Sequence, residues 1–347
     1  MQRTIEAVGI PLLALAVSLL LFGVFVAAAG ADAVEVFASI YKGGFGSGFS
    51  WQNTLIRAAP LMLTALCTAL PARMGLVVIG GEGALVVGGM AAALTGIALN
   101  GLAPLWVMTA MVTASVVCGG CWVGIAGALK HYRGVNETIS SLLLNYIAIA
   151  VMNFLIIGPL RDPATMNKPS TYPIGEANMI GTIAGSSVHW GLVYGLVVCI
   201  GLWFLMRYTT FGFAVDIGGG NARAARLAGL PVGRLIVITC VLGGAAAGLA
   251  GMIEVAAIHG RANTSLNAGY GYAGILVAFL ARQNPLAIIP VALLLGGIRA
   301  SSGLLQRSHE LPDATALVLQ GIIFVVILAS ETLYGRFRMS RADKENA

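Results

Sequence analysis

Charge is what this 347-residue chain has little of: Asp, Glu, Lys and Arg make up 10% of it, against roughly 25% in soluble domains. So little charge cannot cover the surface of a water-soluble protein of this length, and that class is excluded. Histidine is scarce as well. His131, His189, His259 and His309 stand singly, which gives no ligand set for a metal centre, and no cofactor is indicated. The cysteines, Cys67, Cys118, Cys121, Cys199 and Cys240, all lie inside apolar runs. Cys118-Gly-Gly-Cys121 has the spacing of a redox or zinc pair, but no second pair or nearby histidine joins it, and the residues read as small packing groups. No Gly-Lys dipeptide occurs, so the chain carries no P-loop of the form G-x-x-x-x-G-K-[ST]. No Ser-His-Asp, H-E-x-x-H or paired-carboxylate arrangement stands out, and no enzyme activity is expected. An energy source has to be another subunit or an ion gradient.

What is present is apolar sequence: 58% of the residues are hydrophobic and 46 are glycine, which suits membrane helices packed closely through small side chains. The expected fold is an all-α polytopic membrane protein, with 1–347 as a single transmembrane domain. Ten apolar segments are read at about 8–29, 52–70, 75–98, 104–129, 138–158, 188–206, 234–257, 271–281, 285–303 and 313–333. The eighth is too short to span as a straight helix and is expected to be a half-helix, or broken with the ninth through Asn284-Pro285. Ala29-Gly30-Ala31 resembles a signal cleavage site, but the run before it exceeds the 7–15 residues of a signal core and reads as a retained span.

Placing both termini in the cytoplasm puts Arg3, Arg73, Lys130, Arg133, Arg207, Arg223, Arg226, Arg234, Arg282, Arg336, Arg338, Arg341 and Lys344 inside. Lys42, Arg161, Lys168, Arg261, Arg299 and Arg307 fall outside. This bias, not nucleic-acid binding, accounts for the net charge of +6. Longer outer loops are expected at 30–50 and 159–187, the second as ordered coil, and a longer inner loop at 207–233. Segments 2–5 and 7–10 then run in opposite senses, as an inverted four-helix repeat requires, although the two blocks show no convincing sequence similarity.

Several polar residues interrupt the apolar pattern. Glu82, in Gly80-Gly81-Glu82-Gly83, lies seven residues into the third segment, roughly 10 Å deep at 1.5 Å per residue. A carboxylate there costs of the order of 2.5–3.5 kcal/mol unless it faces protein or water, so it is either a pathway or gating residue or a satisfied packing carboxylate. Glu254 and Glu331 lie near segment ends, where snorkelling makes a charge cheap. Asn136 is placed to cap the fifth segment, with Glu137 at its positive end. Asn145 and Asn153, eight residues apart and near one face, are interhelical glue or a polar lining for a solute path. In the inner loop, Asn221 is placed to cap a short helix that carries Arg223 and Arg226 and ends at Gly229, before Pro231. Such a helix suits contact with a partner on the cytoplasmic side; the alternative is that its arginines hold the loop inside or bind lipid phosphates.

Four stretches carry a family resemblance across residues 50–330: Gly75 through Gly83; Gly134-Val135-Asn136-Glu137-Thr138-Ile139-Ser140 with Leu144-Asn145-Tyr146; Asn221 through Gly229; and Asn284-Pro285-Leu286. In them the chain resembles permease subunits of the branched-chain amino acid, ribose and nucleoside branch of ATP-binding cassette importers. Gly158-Pro159-Leu160-Arg161-Asp162-Pro163, with Asn136-Glu137, is most similar to the nucleoside and simple-sugar subgroup. Val78 and Ala84 stand where members commonly have Asn and Gln, and Asp216 and Gly220 where many have a basic and an acidic residue. The resemblance implies a bacterial inner-membrane importer with alternating access, two permease chains (identical or paralogous), a separate ATPase coupled through Asn221–Gly229, and an extracytoplasmic solute-binding protein. The implied solute is neutral and polar, a nucleoside or else a simple sugar. An ion-gradient-driven transporter is the competing class; it wants more ionisable residues near the midplane than Glu82.

Overall fold

The computed structural model describes residues 2–165 and 168–331, with side chains described within 13–165 and 168–330. The helices are α1 (Gln2–Ala28), α2 (Ala33–Phe45), α3 (Gly48–Ala72), α4 (Gly81–Ala98), α5 (Pro104–Arg133), α6 (Glu137–Ile157), α7 (Gly191–Tyr208), α8 (Thr210–Gly220), α9 (Ala222–Leu227), α10 (Val232–Ile253), α11 (Tyr270–Leu280), α12 (Pro285–His309) and α13 (Ala314–Glu331). Every apolar segment expected from the sequence holds one of them. Among the described residues, seven helices are long and apolar enough to cross a membrane, and an eighth span results if α1 and α2, bent by 117°, count as one. The half-helix α11 and the shorter α13 occupy the eighth and tenth segments.

The chain divides into two compact units, Leu55–Leu293 and the combination of Met1–Thr54 with Leu294–Ala347. In the first, α4, α5 and α10 approach through glycine. A Cβ on Gly119 would lie 2.6 Å from the Gly244 carbonyl oxygen, and one on Gly88 or Gly251 would overlap the backbone of Gly248 or Leu85. In lipid, where association relies on packing and not on hydrophobic exclusion, such backbone contact is what small residues provide. Helix ends follow local chemistry. Gly134, at φ +68°, closes α5 behind Lys130, His131 and Arg133, and Asn136 Oδ1 accepts the Ile139 N–H at 3.1 Å to open α6. Across the turn, Lys130 pairs with Glu137 at 2.8 Å.

In the second unit, Asp32 caps α2 by accepting the N–H groups of Val34 and Glu35 at 2.7 and 3.2 Å. Thr54 Oγ1 donates to the Gly44 carbonyl at 2.7 Å, and Gly44 lies so close to Gly297 of α12 that an added Cβ would come within 2.8 Å of the Gly297 carbonyl oxygen. Gln320 of α13 donates to Leu295 O at 3.4 Å.

Four expectations are corrected. Residues 30–50 are not a loop throughout, because Asp32 nucleates α2. Arg299, assigned to an outer loop from charge bias, lies inside α12. Glu254 does not snorkel: it is 3% exposed and opens a π-helical turn, Glu254–His259, whose His259 Nε2 stands 3.7 Å from its carboxylate. The third segment is not helical from Gly75; its helix begins only at Gly81. Arg336, Arg338, Arg341, Lys344 and the Glu331 side chain lie outside what is described.

Within 159–187, the described residues 159–165 and 168–187 are coil with one 3-10 turn at Glu176–Asn178. They are stitched to the α10–α11 connection by Thr171 N–H to Ala262 O at 2.9 Å, Ile174 N–H to Gly260 O at 3.0 Å and Ile180 N–H to Ala256 O at 2.8 Å. Arg261 and Asp162 pair at 3.5 Å. His189, 3% exposed, forms an antiparallel bridge with Thr182 just beyond this segment.

Candidate functional site: a joint between two interrupted helices

After the turn at Gly75, which sits at φ +75°, residues 76–79 are non-helical, with Leu76 and Val78 buried, Ile79 half-buried and Val77 exposed, before α4 begins. Non-helical backbone within a membrane-spanning body is tolerated only where other protein groups satisfy it, and here α6 does so. Thr138 Oγ1 donates to Val77 O at 2.8 Å, Ser141 Oγ accepts the Ile79 N–H at 3.0 Å, and Asn145 Nδ2 donates to Ile79 O at 2.7 Å. Asn145 Oδ1 also accepts the Gly83 N–H at 2.7 Å. From α3, Thr68 Oγ1 donates to Val78 O at 3.1 Å. Thr138, Ser141 and Asn145 follow an i, i+3, i+7 spacing, so one face of α6 serves the interrupted stretch.

A second interruption faces the first. Gly269, at φ +74°, precedes α11, and its N–H donates to Glu82 Oε1 at 2.7 Å; the Gly271 N–H donates to Oε2 at 2.5 Å. Thr64 Oγ1 donates to the Tyr270 carbonyl at 3.0 Å. A side chain on Gly271 would overlap the Glu82 backbone, so the starts of α4 and α11 touch. Glu82, fully buried, sits in the first turn of α4 while its carboxylate caps α11. One negative charge thus serves two helix N-termini, each equivalent to roughly half a positive charge.

The face of the joint is aromatic. Tyr272, 40% exposed, is the one exposed side chain of α11 and lies close to Asn145, Glu82 and Tyr146. Tyr146, on α6, is 60% exposed. Sequence reasoning singled out Glu82 and Asn145 and the structure brings them together. It leaves Asn153, half-buried, about 12 Å further along α6 at 1.5 Å per residue. Thr64, Thr68, Thr138, Ser141 and Tyr272 were not singled out; hydroxyl groups at helical spacing before Asn145 were the available signal.

At the other candidate segment, Asn221 Oδ1 accepts the N–H groups of Arg223 and Ala224 at 3.1 and 3.0 Å, which starts α9. Gly229, at φ +80°, ends it, with the Leu230 N–H returning to Ala225 O at 3.0 Å. Arg223, Arg226 and Leu227 are exposed, whereas Ala225 is fully buried against a core that includes Met74 and Val232. The alanine at 225 thus faces this chain and not a partner.

Apolar helices long enough to span a membrane, with the starts of α4 and α11 gathered around a buried carboxylate and an asparagine, are the architecture expected of a class: multi-pass membrane transport subunits. Residues 50–328 match the family described as branched-chain amino acid transport system / permease component. The chain belongs to that family, and is a permease subunit of an ATP-binding cassette importer and not itself an enzyme. It is 30% identical to a glucose ABC transporter permease protein, TsgB13, of Haloferax volcanii, over 98% of this chain and 93% of the relative. It is 28% identical to a guanosine ABC transporter permease protein, NupP, of Bacillus subtilis, over 100% of both. A nucleoside ABC transporter permease protein, NupB, of Lactococcus lactis is 25% identical over 94% of this chain and 92% of its own.

Proposed function

We propose that this permease imports a neutral polar solute, a nucleoside first, past the joint of α4 and α11. The observation that carries this reading is the Glu82 carboxylate, taken up by the Gly269 and Gly271 N–H groups. Its charge balances the two helix ends, so an anionic or cationic solute would meet no counter-charge there. The surface left for a solute is Tyr272 and Tyr146, whose rings can stack on a flat base. Glu82 and Asn145 hold this wall in place, and Asn153 lines the same path further along α6. The guanosine and nucleoside relatives support the choice of solute; the glucose relative favours simple sugars as the second reading.

The working assembly pairs this chain with a second permease, identical or paralogous, with ATPase subunits that receive α9 through Asn221, Arg223, Arg226 and Gly229, and with an extracytoplasmic binding protein. Both termini and α9 lie on the cytoplasmic side of a bacterial inner membrane. Vesicles containing the assembled importer test the reading: labelled guanosine should enter only with ATP, and faster than glucose or ribose at equal concentration. Uptake by this chain alone on a proton or sodium gradient would overturn the importer mechanism, and preference for a charged amino acid would overturn the solute.

A further inference from the structure

On the membrane face that carries α9, a cavity of about 360 Å³ opens between the end of α3, the α7–α8 turn and the α11–α12 turn. Its polar lining comes from Arg73, Arg207, Asp216 and Asn284, with Trp203 at its edge. Arg73 is partly engaged, standing 3.4 Å from Asp216 and donating to the Gln283 carbonyl at 3.5 Å. Asn284 uses its Oδ1 to accept the Leu286 N–H at 3.1 Å, which leaves its amide N–H groups as donors. Arg207 is exposed at the last turn of α7. Two guanidinium groups and an amide donor against one carboxylate leave the cavity with one positive charge in surplus, which suits a singly charged phosphate ester.

The approach to the cavity says which phosphate. Along α7, Val197, Ile200, Phe204 and Tyr208 are 60%, 49%, 57% and 62% exposed, at spacings of three or four residues that place them on one face. This apolar strip is roughly 16 Å long at 1.5 Å per residue, the depth of one leaflet. At its cavity end the rings of Trp203 and Phe204 pack on Tyr208, with centroids 5.4 and 5.1 Å away, as aromatic side chains do at headgroup level. A soluble phosphate has no use for such a strip; an acyl chain does.

We propose that this cavity is a binding site for an anionic phospholipid, its headgroup phosphate held by Arg207, Arg73 and Asn284 and one acyl chain lying on α7. Basic pockets beside transmembrane helices at the headgroup level take lipids of this kind. A lipid seated here bridges α3 and α7 to the base of α8, which leads directly into α9. The binding claim does not depend on the identity of the transported solute.

Native mass spectrometry of the purified full-length chain, exchanged from phosphatidylcholine into mixtures with phosphatidylglycerol, tests the site. Wild type should retain phosphatidylglycerol over phosphatidylcholine, and Arg207→Gln should lower that retention about tenfold, the effect of losing a charge-assisted hydrogen bond. Arg207→Lys should keep most of it, and Arg133→Gln, an exposed basic residue elsewhere, should change it less than twofold. Excess inorganic phosphate should leave the adducts intact. Equal retention in wild type and Arg207→Gln overturns the proposal. So does displacement of the lipid by inorganic phosphate, which makes this a soluble-anion site. Lost ATPase association in Arg207→Gln with lipid retention unchanged also overturns it, since Arg207 then serves a protein partner.

Discussion

Replacing Glu82 by glutamine changes one atom and removes the centre of the joint. The carboxylate accepts two backbone N–H groups, from Gly269 at 2.7 Å and Gly271 at 2.5 Å. A glutamine amide offers one oxygen and turns an NH2 group toward the other donor. One buried backbone N–H is then orphaned, at about 1–3 kcal/mol. Loss of the charge from two helix N-termini adds about 0.3–1 kcal/mol at each. A total near 3 kcal/mol lowers the melting temperature of a unit of this size by roughly 6–12 °C, using 2–4 °C per kcal/mol. Thermal unfolding of the purified chain, followed by loss of the monodisperse peak in size-exclusion chromatography, measures this directly. Glu82→Gln should still insert, since it makes the segment less polar, but melt lower and take up solute more slowly. A variant with wild-type melting and wild-type uptake would refute the idea that this carboxylate holds the starts of α4 and α11 together.

The remaining expectations test the other contacts. Asn145→Leu orphans the Gly83 N–H and the Ile79 carbonyl, about 1–3 kcal/mol each, so it should melt well below Asn153→Leu in the same assay; equal melting would show that α6 does not brace the non-helical stretch. Gly248→Ala drives a methyl into the Ser115 carbonyl and toward Gly119, and should prevent accumulation in the membrane, read by quantitative immunoblot, whereas Gly303→Ala, where an added Cβ meets open space, should not. Arg226→Glu reverses an exposed charge on α9 and should leave insertion normal while reducing ATPase co-purification several-fold; unchanged co-purification and uptake would remove Arg226 from the coupling contact.

The all-helical membrane body and the positions of its segments were legible because twenty-residue apolar runs leave little choice in lipid. The helix α9 was legible too, since Asn221 and Gly229 are strong local signals at fixed spacing. Its orientation was not. Ala225 and Ala224 are the same residue type in sequence, and only tertiary packing buries the first and exposes the second. The late start of α4 escaped sequence reasoning for a related reason. Leu76-Val77-Val78-Ile79 is as apolar as a helix, and hydropathy cannot tell non-helical from helical backbone in so short a run. The clue lay more than sixty residues downstream: Thr138, Ser141 and Asn145, which bond residues 77 and 79 from 61 to 66 positions away, recur on one face of α6.

A non-helical stretch within a membrane-spanning body costs several kcal/mol for each backbone group left unsatisfied, so it persists only where something is gained by breaking the helix. Here α4 and α11 start within contact of each other, and a carboxylate from the first turn of α4 takes the N–H groups at the start of α11. The two blocks carry no convincing sequence repeat, yet the third and eighth segments meet at their helix starts. Each end contributes roughly half a charge, so Glu82 brings the joint near neutrality without any solute. That distinguishes this centre from one in which half-helix ends are left open to draw in an anionic substrate. The charge is supplied from within and the two N–H donors of α11 are occupied, so on the proposed reading selectivity passes to the exposed surfaces of Tyr272 and Tyr146, which would recognise shape and flatness in place of charge.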